Sequence, residues 1–87
     1  MQFINIGYGN LVNSEKILCI VSPDSAPVHR LVSKAKEAGL LIDASQGRKT
    51  KGVIFSTDGR VILSALVPET IAGTFIPSMN TERKADL

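Results

Sequence analysis

Apolar and polar residues fall in short blocks along the chain, and the period changes from block to block. Residues 2–6 carry Phe3, Ile4 and Ile6 among polar neighbours, which predicts a first strand. Gly7-Tyr8-Gly9-Asn10 then supplies turn residues. A second strand is expected over residues 17–21, where every position is apolar. Ser25 can cap a helix whose first turn holds Pro27, because the missing N–H of proline costs nothing there. Val28, Leu31, Val32, Ala35 and Ala38 recur at a helical period and predict one buried face, with Arg30, Lys34 and Glu37 turned outward. Gly39 ends that helix. Further strands are expected over residues 40–44, 52–57 and 60–67, the last two flanking Asp58-Gly59, a two-residue hairpin signal. Pro68-Glu69-Thr70 opens a short helix ending near Phe75, and beyond Pro77 the chain is polar.

The expected order is ββαβββα. This is an α+β domain over residues 1–76, with a small mixed or antiparallel sheet, one main helix and a short C-terminal helix, followed by a tail over residues 77–87. Residues 17–21, 53–55 and 61–63 lack the in/out alternation of a sheet wetted on one side, so they are expected to be covered on both faces. One main helix and one short helix are little cover for both faces of a five-stranded sheet. Unless the helices and loops manage it, a second copy of the chain is the simplest source of the missing cover.

Composition narrows the class. With 44% apolar and 21% charged residues, the 87-residue chain reads as one small folded domain. A chain of this size buries only roughly 60–65% of its unfolded surface, so a lone copy is expected to be marginally stable. No run approaches the roughly 18 apolar residues that a membrane span needs. No secretory signal is visible, and the single Cys19 cannot form an internal disulfide, so a cytoplasmic protein is expected. Net charge is only +2, but six cations (Arg30, Lys34, Lys36, Arg48, Lys49, Lys51) face two acids (Glu37, Asp43) between residues 29 and 51.

Most candidate chemistry has a plainer explanation. Gly7-Tyr8-Gly9-Asn10 lacks the third glycine and the following helix of a dinucleotide loop, so it is read as a turn. His29 and Cys19 are too isolated for a metal site, and Cys19 reads as a small core residue. Ser22, Asp24 and His29 contain the letters of a catalytic triad, but nothing in the sequence orients them. No enzyme activity, cofactor or metal is expected. The basic loop Gly47-Arg48-Lys49-Thr50-Lys51 is different: three cations on one turn make a point contact for a polyanion. Lys16, at the start of another strand, is a candidate to add to the same sheet edge, although the sequence does not show which edge it meets. So few cations would hold nucleic acid weakly in a monomer, because affinity grows with the number of phosphates neutralised. Several joined copies would not share that limit. Of the four aromatics, Phe3, Phe55 and Phe75 fall in elements that read as core, leaving only Tyr8. That favours phosphate and shape contacts with a duplex over stacking on single strands.

Several segments together resemble one family. Ile4-Asn5-Ile6-Gly7-Tyr8-Gly9-Asn10, Ile20-Val21-Ser22-Pro23-Asp24-Ser25-Ala26-Pro27, Leu41-Ile42-Asp43-Ala44, Gly47-Arg48-Lys49-Thr50 and Val61-Ile62-Leu63-Ser64-Ala65 resemble the extracellular-matrix regulator RemA and its relatives over about residues 3–70. The resemblance implies a bacterial cytoplasmic DNA-binding activator of biofilm-matrix and osmoprotection genes. It also implies a ring-forming homo-oligomer, an octamer, that displays basic residues to double-stranded DNA. The family's basic positions fall on Lys16, Arg48, Lys49 and Lys51, with Arg30 a weaker candidate, and Pro27 falls on a position read as fixing the helix start. Lysine stands at 16, 49 and 51 where relatives commonly carry arginine, which keeps the charge and loses the fork geometry. The rival readings are a ring-shaped protein-interaction scaffold and an RNA-binding regulator.

Overall fold

The computed structural model describes residues 2–73. Its centre is the antiparallel pair β5 (Gly52–Ser56) and β6 (Val61–Ser64), two strands whose side chains alternate between two dry compartments. The remaining elements are β1 (Phe3–Asn5), β2 (Leu11–Asn13), a 3-10 turn (Ser14–Lys16), β3 (Ile17–Val21), α1 (Ala26–Ala38) and β4 (Leu41–Asp43). Residues 68–73 are helical. The main sheet runs β3-β5-β6-β4, antiparallel except for the parallel β4–β6 pair. Because β3 and β4 point the same way from opposite edges, α1 crosses one face of the sheet between them.

That face holds Val53 and Val61 against Ala35, with Val28, Val32, Leu41, Phe55 and Leu63 packed around them. On the other face Ile54 and Ile62 meet Ile4, Ile6, Ala44 and Ile71. α1 begins as the sequence implies: the Ser25 hydroxyl accepts the Val28 N–H at 3.3 Å, and proline lies in the first turn. It ends at Gly39, whose φ of 74° is open to a residue without Cβ.

Four expectations need revision. β1 does not join the main sheet; it pairs with β2, a strand too short to show a period, in a separate hairpin turned by residues 7–10. The main sheet therefore has four strands, and the hairpin with residues 68–73 covers the face left bare by counting helices. Leu31 and Ala38 share the predicted face of α1 in projection, yet both are exposed because the sheet is too narrow to reach them. Cys19 is exposed rather than core, since β3 is an edge strand. The β5–β6 connection is also longer than a two-residue turn. Ser56 and Arg60 close a three-residue loop, with Gly59 at φ 89° as its left-handed residue. Phe75 and the tail over residues 77–87 lie outside the described residues.

The hairpin and the sheet are tied by Ser64. Its fully buried hydroxyl donates to the Ile6 carbonyl at 2.8 Å and accepts the Leu66 N–H at 3.0 Å. At the start of β5, a Cβ on Gly52 would lie 2.5 Å from the Leu66 carbonyl oxygen and 3.2 Å from the Ile71 side chain, so only glycine fits. Ser64→Ala leaves two buried backbone groups without their partner. It is expected to lower stability by roughly 1–3 kcal/mol, read as a lower urea midpoint with an unchanged m-value.

Candidate nucleic-acid interface

The strand directions sort the loops into two ends of the sheet. One end collects the exits of β3, β4 and β6 and the entry to β5, so it holds residues 22–25, 44–51 and 65–68. The basic loop projects there. Ser45, Gln46, Gly47 and Arg48 form its turn, closed by the Arg48 N–H donating to the Ser45 carbonyl at 3.0 Å. Gln46 and Gly47 have φ of 57° and 75°, the successive positive values of a type I′ turn. Arg48, Lys49 and Lys51 are exposed, while Thr50 is half-buried.

The base of the loop is anchored on both sides. Ala44 donates its N–H to the Leu63 carbonyl at 2.9 Å, and Lys51 donates to the Ser64 carbonyl at 2.9 Å. The buried Ser45 gives both its N–H and its hydroxyl to one carboxylate oxygen of Asp43, at 2.9 and 2.6 Å. The Ser45 hydroxyl, then its N–H, hold the Asp43 carboxyl below the usual carboxylate value, against a small opposing effect of burial. The cations thus stand on a fixed stem.

The structure does not bring every expected residue to this end. Lys16 leads into β3 at the opposite end, where its carbonyl accepts the Thr57 N–H. Lys51 and Thr57 bracket β5, so at about 3.3 Å per residue the two ends lie roughly 20 Å apart. Within one protomer Lys16 cannot share a contact with Arg48. Arg30 sits on the exposed side of α1, beside Leu31 and Lys34. Pro27 is at the start of α1, in the part expected of it.

Two acids distant in sequence were not legible as neighbours of the loop. Asp24 and Glu69 line a hollow of about 330 Å³ together with Lys49, Thr50, Lys51 and Pro68. Phe3 is 55% exposed on the outer side of the β1–β2 hairpin rather than core, and Tyr8 is 54% exposed. Ser22, Asp24 and His29 do not assemble: Ser22 and Asp24 bond to each other, and His29 lines a separate hollow with Val32, Val53 and Leu63. Among the described residues no three or more His, Cys, Asp or Glu are grouped to hold a metal ion, and no helix is long and apolar enough to cross a membrane.

By fold, then, this is a small α+β domain that carries Arg48, Lys49 and Lys51 on an anchored, solvent-facing loop. The chain belongs to the RemA-like family, described as extracellular matrix regulatory protein A-like, which it matches over residues 3–75. It is 48% identical over 86 residues to a protein of Gloeothece citriformis, covering 99% of this chain and 96% of the relative. It is 54% identical to a protein of Geobacillus thermodenitrificans and 56% identical to one of Bacillus cytotoxicus, each over 72 residues and 83% of either chain. All three relatives are named, provisionally, as regulatory proteins. The family is one of regulators.

Asp43 gives the loop stem a pH signature. A carboxyl whose folded pKa is depressed stabilises the fold fully above its unfolded value of about 3.9, and that stabilisation is lost as pH falls through the lower folded value. Ser45→Ala should cost about 1 kcal/mol at pH 7, allowing for the exposure of Asp43, and much less near pH 2. Thermal melts of both proteins across pH 2–7 should show the gap between them closing on the acid side.

Proposed function

We propose that this protein is a cytoplasmic, non-enzymatic DNA-binding regulator that works as a ring-shaped homo-oligomer, an octamer, and activates biofilm-matrix and osmoprotection genes. Each protomer offers duplex phosphates the Arg48, Lys49 and Lys51 side chains, with Lys16 as a second point of contact and Arg30 as an auxiliary one. The observation that carries the reading is the turn itself. It presents three exposed cations and is held by backbone bonds to Leu63 and Ser64, which limits the ordering that binding would otherwise require.

Self-association has its own support. Leu18 is 70% exposed on the unpaired side of edge strand β3, and Leu31 is 48% exposed on α1. They border a hollow of about 660 Å³ lined with Cys19, Val21, Ala35 and Phe55. Leu11, opposite Asn5, is 62% exposed on the same outer side of the hairpin as Phe3. Apolar surface on two separate sides is what head-to-tail association into a ring requires. A ring also answers the separation of Lys16 from the loop, since contacts roughly 20 Å apart in one protomer are multiplied along a long duplex.

Arg48→Ala with Lys49→Ala should abolish retention of a long duplex while leaving the particle mass in solution unchanged. For the unaltered protein, log affinity should fall with log salt by about 0.9 for each phosphate engaged. Normal retention of DNA by the double variant would overturn the assignment of the loop. Parallel titration with structured RNA separates this reading from RNA regulation, because a shape reader distinguishes B-form from A-form.

A further inference from the structure

The hollow beside the basic loop has charges of both signs on its walls. Lys49 and Lys51 share it with Asp24 and Glu69. Neither acid is placed there by pairing with the lysines. Asp24 is held within its own turn, where its N–H donates to the Ser22 hydroxyl at 3.3 Å and its carboxylate accepts from that hydroxyl at 3.2 Å. Glu69 lies in the first turn of the helical segment over residues 68–73, where an acid is favoured by the partial positive charge of the free N–H groups. Local structure therefore fixes both acids against a loop that is cationic by sequence.

We infer that Asp24 and Glu69 are affinity-limiting residues: they oppose entry of a phosphate on the hollow side of the loop and hold each protomer's grip on DNA below what its lysines alone would give. This inference rests on the DNA-binding reading and deepens it. Charges that line one hollow screen each other incompletely where they lie within a Debye length, about 8 Å at physiological salt. A phosphate approaching from the hollow meets two acids as well as two lysines, and their contributions oppose one another. Arg48 is exposed and is not part of the hollow's lining, so an approach led by it avoids Asp24 and Glu69. The consequence is a weak contact per protomer, so that tight binding needs several protomers on one long duplex.

The test compares Asp24→Asn and Glu69→Gln, singly and together, with Glu37→Gln, which makes the same change in net charge as either single substitution on the outward side of α1. Binding is measured to a short and a long duplex over a range of salt, with particle mass and melting temperature recorded. Asp24→Asn keeps the hydrogen-bonding capacity that serves Ser22, so it is the variant of choice if Glu69→Gln proves unstable. The pair together should tighten short-duplex binding by roughly three- to tenfold. The salt slope should steepen toward about 0.9 for each lysine freed, while Glu37→Gln changes neither. A purely structural role would move the melting temperature and leave the slope where it was. Equal effects of all three substitutions, or none from Asp24→Asn and Glu69→Gln while Arg48→Ala/Lys49→Ala still releases DNA, would overturn this inference alone. Retention of DNA by the Arg48→Ala/Lys49→Ala protein would instead overturn the reading beneath it.

Discussion

The domain depends on keeping the β5–β6 pair dry on both sides. Val53, Ile54, Val61 and Ile62 are all buried, though consecutive residues face opposite compartments. No single helix can satisfy such a pair, so two different covers are built. α1 closes one side with valine and alanine, whose small side chains let the helix approach the sheet closely. The β1–β2 hairpin and Ile71 close the other with isoleucines. Ser64 belongs to the same logic. It turns a buried polar side chain into the second compartment, and it is tolerated because both the donor and the acceptor roles of its hydroxyl are used.

Much of this was legible in the chain. α1 carried three independent signs: a capping serine, a proline in the first turn and a glycine at the end. The central strands declared themselves by unbroken apolar runs, which correctly implied cover on both faces. What failed was the inventory of covering elements. Leu11-Val12-Asn13 is too short for alternation to be read, and its strand character comes only from pairing with Phe3-Ile4-Asn5. Leu31 and Ala38 show the opposite limit. Periodicity reports which side of a helix they share, but not how far the sheet beneath extends.

The candidate interface divides along the same line. Arg48, Lys49 and Lys51 are adjacent in sequence, and the left-handed pair Gln46 and Gly47 makes their turn a local matter. Asp24 and Glu69 reach that turn only because three segments end at the same side of the sheet, a fact of topology that no local pattern encodes. Lys16 shows the converse limit. It neighbours the sheet edge, as its place before β3 implied, but the antiparallel pairing of β3 with β5 carries it to the far end. Family membership, shown over residues 3–75, fixes the class of protein while the individual charges must still be placed one by one.

Gly52 sits where the basic loop becomes strand, pressed against the carbonyl of Leu66 and the tip of Ile71. With no room for a Cβ at that joint, the loop stem packs directly against the segment following β6. A load applied to the cations would pass through the glycine as through a fulcrum into residues 66–71. The charged end of the domain is thereby connected mechanically to the stretch that follows β6.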